Sequence, residues 1–126
     1  MKKYLVATVV CSLVGSQWQI ESINGVAINT SKYKGSKPSI TFDASGRFYA
    51  YAGCNRISGG YTASEKILKF SDNIIMTKMA CHDNEHLEKN FIATLPKVEH
   101  WKIVEDKLQL ESSDNVNLMV LAPRPS

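Results

Sequence analysis

The chain has 126 residues, 44% of them hydrophobic and 21% charged. That balance excludes a disordered, collagen-like or low-complexity chain and leaves room for one domain. Its 15 basic and 12 acidic residues give a net charge of +3, with no Lys/Arg run longer than two, so no basic stripe for nucleic acid is present.

Residues 1–16, MKKYLVATVVCSLVGS, begin with Lys2 and Lys3 and continue through an uncharged stretch from Tyr4 to Gly15. A basic start, an apolar core of about 7–15 residues and a small-residue cut site make a secretory signal peptide. The expected cut follows Ser16, leaving residues 17–126 as the domain. The stretch falls short of the roughly 20 apolar residues that cross a bilayer, so no stable membrane span is expected. Cys11 follows Val10, where lipid attachment wants a small residue, so an unanchored protein of the periplasm or cell envelope is expected. Loss of Lys2 and Lys3 leaves 13 basic against 12 acidic residues. Loss of Cys11 leaves Cys54 and Cys81, an even count that suggests one disulfide in an oxidising compartment. Closing a loop of about 27 residues would stabilise the fold by roughly 3–4 kcal/mol.

The rest of the chain reads as short strands between turn signals. Gln17–Ile23 alternates around Trp18 and Ile20, and Asn24-Gly25 is a tight hairpin signal. Residues 29–38 are polar with Gly and Pro, a loop. Ser39–Phe42 is a strand, Asp43–Gly46 a turn, and Arg47–Ala52 an aromatic-rich strand. Ser58-Gly59-Gly60 reads as a further turn before Tyr61. Ile67–Phe70 and Ile74–Met79 are separate strand candidates. Asp83 is a good helix N-cap, Glu85 and Glu88 suit the first turns, and Pro96 is a stop. Leu87, Phe91 and Leu95 recur every four residues beside Ile92, which makes one face apolar. Val98–Val104, Lys107–Glu111 and Val116–Leu121 form a C-terminal meander with turns at Glu105-Asp106 and Ser112–Asn115. The fold class expected is mainly β (α+β): a small twisted antiparallel sheet or barrel of about eight strands, one helix packed against it.

Constellations that could carry chemistry are few. Cys54 or Cys81 beside His82 could be a nucleophile with a base, but adjacent Cys and His point apart on a strand, and a thiol nucleophile needs exposure and a lowered pKa. His82 and His86 are spaced i, i+4, a pattern that zinc sites use; no second ligand cluster accompanies them and His100 lies far along the chain, so neither metal nor cofactor is expected. Asn55 beside Arg56 reads as a turn former bonded to nearby backbone. Asp43 and Asp72 lack a matched carboxylate for glycosidase chemistry. Phe48 faces away from Tyr49 and Tyr51, so one set belongs to the core and the other to a partly exposed patch.

The order W-Q-I-E-S-I-N-G at 18–25, P-S-I-T-F at 38–42, G-C-N at 53–55, G-Y at 60–61, T-K-M-A-C at 77–81 and a helix with Glu88 and Phe91 before Leu95 resembles the META domain family. The resemblance runs from residue 17 to about 121. It implies a β-rich domain of exported or envelope-anchored proteins, Cys54 bonded to Cys81, and links to heat response, motility and virulence without an established catalytic activity. The expected function is therefore a non-enzymatic envelope protein, in stress tolerance or as a binding or assembly accessory, with a protein or small-molecule partner in the envelope. The rivals are a barrel holding a small molecule or lipid inside it, and a cysteine-dependent enzyme.

Overall fold

Alternation along the first strand slips phase once. Trp18, Ile20 and Ile23 are all buried, although Ile20 and Ile23 are three residues apart. The register against the last strand shifts between Ile20 and Ser22, and this bulge returns Ile23 to the inner face. The computed structural model describes residues 13–29, 31, 33, 37–78 and 85–124. The proposed leader up to residue 12, Cys11 included, and Cys81, His82 and Asp83 lie outside them.

The elements in chain order are β1 (Gln17–Ile23), β2 (Val26–Ala27), β3 (Ser39–Phe42), β4 (Arg47–Tyr51), β5 (Arg56–Ala63) and β6 (Leu68–Met76), then α1 (Glu85–Thr94). A 3₁₀ turn (Leu95–Lys97) leads to β7 (His100–Val104), β8 (Lys107–Glu111) and β9 (Asn117–Pro123). The sheet runs β6-β5-β4-β3-β1-β9-β8-β7, every neighbour antiparallel, with β2 hairpinned onto the end of β1. Asn24 and Gly25 have φ of 52° and 80°, and Glu105 and Asp106 have φ of 50° and 70°. Positive φ at both central residues is the hairpin turn whose twist matches that of the strands.

The sheet curls until its two ends touch. The amide of Leu68 donates to the Glu99 carbonyl at 3.1 Å, and that of Trp101 to the Lys66 carbonyl at 3.1 Å. The Trp101 Nε1 adds a bond to the Ser64 carbonyl at 2.8 Å. The join covers only the start of β6 and β7. Side chains fill the interior: Phe42 stacks edge-on to Tyr61 at 5.1 Å, and Phe48 edge-on to Phe70 at 5.0 Å. Phe91 and Leu95 enter from α1 and the turn after it, and both are fully buried. Pro96 lies in that 3₁₀ turn, just past the end of α1, as a helix stop should.

Two expectations need correction. Ser58-Gly59-Gly60 does not turn the chain; it lies inside β5. Gly59 faces inward, and a Cβ there would stand 2.9 Å from Phe48 Cε1 and 3.1 Å from the Asn73 carbonyl oxygen. The glycine makes space for the Phe48 ring. Ile67–Phe70 and Ile74–Met79 are also not separate strands: Leu68–Met76 is continuous. Opposite Gly59 and Tyr61 the partners are Ile74 and Phe70, so Ser71–Asn73 bulge outward and interrupt the apolar pattern.

The segment before β1 is built into the domain. Leu13 is fully buried, the Gly15 amide donates to the Phe42 carbonyl at 2.7 Å, and the Phe42 amide donates to the Ser16 carbonyl at 2.9 Å. Trp18 Nε1 donates to Ser16 Oγ at 2.6 Å, and Ser16 Oγ donates in turn to the Leu13 carbonyl. A chain starting at Gln17 is therefore expected to be less stable than one starting at Leu13 by about 3 kcal/mol, the cost of an emptied leucine site. Urea unfolding of the two proteins measures the difference.

Tyr61 gives a second test. Its hydroxyl donates to the Asp43 carbonyl at 2.7 Å. Burial, and secondarily the Asp43 charge, push its pKa above the usual 10.0. The folded state thus holds the phenolic proton more tightly than the unfolded chain does. This contribution to stability is complete below pH 10 and disappears as pH rises through the folded value. Tyr61→Phe should cost about 1 kcal/mol at neutral pH. It should also flatten the loss of stability above pH 10, read from melting curves at stepped pH.

Candidate functional site

Two places gather the residues that the sequence singles out. The first lies where α1 meets the β4–β5 connection. Gly53 has φ of 98°, a left-handed conformation open to glycine, and it carries the chain around to Asn55. Asn55 is buried, and its backbone amide donates to Glu88 Oε1 at 2.8 Å while its Nδ2 donates to Oε2 at 3.0 Å. Its Oδ1 accepts from Thr77 Oγ1 at 2.9 Å, and Thr77 Oγ1 accepts from the Arg56 amide at 3.1 Å. One carboxylate, one amide and one hydroxyl thus lock the helix, the β4–β5 connection and the residue after β6 together.

This corrects one sequence reading. Asn55 bonds to residues 22 and 33 positions away, not to nearby backbone. Glu88 does lie in the first turn of the helix, as expected, and is only 8% exposed. A signal for it exists in the sequence: Glu88 stands three residues before Phe91 and seven before Leu95, on the helix's apolar stripe, where a carboxylate must find donors. At the other end of α1, Thr94 Oγ1 donates to the Asn90 carbonyl at 2.7 Å and accepts a long 3.4 Å bond from Asn24 Nδ2.

Cys54 is buried within this corner and carries no free thiol. Its expected partner, Cys81, is outside the described residues. His86 is exposed on α1, and His100 Nδ1 lies 3.3 Å from the Ser112 carbonyl. Among the described residues no three His, Cys, Asp or Glu side chains gather as a metal site. Asp43 caps its own turn through Ser45, and Asp72 is exposed in the β6 bulge. No described helix is long and apolar enough to cross a membrane.

The second place is a groove of about 830 Å³ over the outer face of β3–β6. Register builds it in rows. Thr41, Tyr49, Ser58 and Ile75 stand side by side across four strands. Ser39, Tyr51 and Arg56 form the next row. Thr77 and Arg124 bound it, Arg124 donating to Ser39 Oγ at 3.0 Å. Tyr49 is 48% exposed while Phe48 is fully buried, which matches the division of the aromatics expected from alternation. Among the described residues no acid and no lysine lines the groove. The ion pairs among the described residues, Lys69–Glu99, Lys102–Glu111 and Lys107–Glu21, all lie elsewhere and use no arginine.

The META domain family model matches residues 11–124. The chain belongs to the META domain family. The match takes in Asn55, Thr77 and Glu88, three of the motif residues of the resemblance, which are bonded to one another at the helix corner. No curated protein matches the sequence. Three solved structures share the fold. The NMR structure of a protein from Burkholderia xenovorans is 20% identical, with a TM-score of 0.71, covering 96% of this chain and 89% of that one. The crystal structure of a DUF4847 family protein from Bacteroides vulgatus is 16% identical, with a TM-score of 0.64 and coverage of 90% and 96%. A further NMR structure is 21% identical, with a TM-score of 0.63 and coverage of 84% and 87%.

Glu88 is expected to matter for stability. Glu88→Gln turns one of its two acceptor positions into a donor facing a donor, and should cost about 2–3 kcal/mol. Glu88→Ala should cost about 3–5 kcal/mol, because two buried donors lose their acceptor and a void opens. Thermal melts and denaturant titration measure both, and hydrogen exchange should localise the loss to α1.

Proposed function

We propose that this META domain is a non-enzymatic exported protein of the cell envelope that serves stress tolerance or assembly by binding a partner across the outer face of β3–β6. The observation that carries this reading is the contrast between the two faces. The helix corner uses Asn55, Thr77 and Glu88 on one another, and aromatic side chains occupy the interior. The groove, by contrast, presents Tyr49, Tyr51 and Arg56 outward with a hydroxyl-bearing floor. The packed interior counts against the rival in which a lipid or small molecule sits within the barrel. The bonded state of Cys54 counts against a thiol nucleophile.

The pairing of Cys54 with Cys81 belongs to the same proposal. It would tie the segment before α1 to the corner that Glu88 already holds, and is supported by the burial of Cys54 and its lack of a free thiol. Two measurements on protein made in cells test the proposal. Intact mass is expected to show loss of the leader through Ser16, at the cost in stability of the Leu13–Ser16 packing described above, with no acyl addition and a further gain of about 2 Da on reducing the disulfide. A full-length, fully reduced species would overturn export. A photo-crosslinking residue at Tyr49 is expected to capture a discrete adduct that the same residue at exposed Lys89 does not. Equal labelling from both positions would overturn the binding face.

A further inference from the structure

The groove has a composition as well as a shape, and the composition selects a partner. Its charged lining residues are Arg56 and Arg124, with no carboxylate among the described lining to neutralise them. Arg47 adds a third guanidinium on the same face, its Nη2 lying 3.4 Å from Ser58 Oγ. Cations concentrated on one face without acids attract anionic groups, and guanidinium rather than ammonium favours a planar carboxylate held by two parallel bonds. Tyr49 and Tyr51 supply large rigid contact area with hydroxyl tips, and Ser39, Thr41 and Ser58 supply adaptable hydrogen bonds. Enrichment in Tyr and Arg and depletion of Lys mark surfaces that bind other proteins.

One wall of the groove is also a strand edge. β6 ends the path of the sheet, and beyond its first residues no described strand pairs with its outer side. Ile75, 66% exposed and opposite Ser58, stands on that wall. An extended peptide approaching there meets apolar side chains and guanidinium groups within one groove, and its alternate side chains point the same way.

We infer that the groove over β3–β6 is a docking surface for an extended acidic segment of another protein, its carboxylates on Arg56 and Arg124 and its apolar side chains on Tyr49 and Ile75. The inference rests on the binding reading above and names the chemistry of the partner.

The test uses amide chemical shifts of the isotope-labelled protein. The probe is a ten-residue peptide alternating Glu with Val, beside the same peptide with Gln for Glu, free glutamate, inorganic phosphate and a single-stranded oligonucleotide. The Glu–Val peptide should move the amides of Thr41, Tyr49, Ser58 and Ile75, and the Gln–Val peptide should bind at least about tenfold more weakly. Its binding should weaken as salt rises from about 50 to 200 mM. Arg56→Ala with Arg124→Ala should also cost about tenfold or more while leaving the melting temperature close to that of the parent. Arg56→Glu with Arg124→Glu should transfer the preference to a Lys–Val peptide.

Binding of the Gln–Val and Glu–Val peptides with equal affinity would overturn the charge argument. Tighter binding of phosphate, free glutamate or the oligonucleotide at the same amides would overturn a protein segment as the occupant. If the Glu–Val peptide leaves these amides unmoved while the Tyr49 crosslinker still yields its adduct, the acidic partner is wrong and the binding face stands. If both fail, both readings fall.

Discussion

A single buried carboxylate holds this domain's one described helix to its sheet. Glu88 accepts from the backbone and the side chain of Asn55 with its two oxygens, and Asn55 passes the constraint to Thr77. Charge-assisted bonds of this kind are stronger than neutral ones, and leaving a buried donor unpaired costs more than the bond contributes. The corner therefore favours one arrangement sharply over near misses. Rotating α1 by one residue would withdraw Glu88 from Asn55 and Phe91 from the core together. Phe91 and Leu95 supply the apolar area, and Glu88 specifies the angle at which it is buried.

The sheet imposes the second constraint. β9 pairs with β1 near the middle of the strand order, so the sheet is whole only when the first and last strands lie side by side. The ends of that order meet only at residues 66–68 and 99–101. A sheet that closes at one end and splays at the other needs something to fill the gap, and α1 with its following 3₁₀ turn sends Phe91 and Leu95 into the core. Gly59 serves the same closure locally by admitting the Phe48 ring against β5 and β6. With aromatic side chains filling the interior, the groove lies on the outer face, and the end of β6 forms one of its walls.

Local chemistry made much of the fold legible in advance. Asn24-Gly25, Asp43–Gly46 and Glu105-Asp106 are turns because their residues tolerate or prefer the required dihedrals. Ser39–Phe42 and Lys107–Glu111 have the bounds that alternation indicates. The misreadings share one cause. Ser58-Gly59-Gly60 has the composition of a turn, yet Gly59 answers to an aromatic ring on the neighbouring strand. Asn55 has the composition of a local turn former, yet answers to a glutamate 33 residues later. A side chain's partner across the sheet is not written in its neighbours along the chain.

By itself, the sequence determined the class of fold, the helix and most of the strands, the family, and which of Phe48, Tyr49 and Tyr51 share a face. These follow from periodicity, turn dihedrals and motif order, all of which act within a few residues. Only the tertiary structure decided that β9 lies between β1 and β8, that Leu13–Ser16 pack with the domain, that Asn55, Thr77 and Glu88 form one network, and that Arg56 and Arg124 border one groove. Each of these is a contact between distant segments. Strand register and the curl of the whole sheet create such contacts, because a shift of one residue in either would exchange the faces and part the groups.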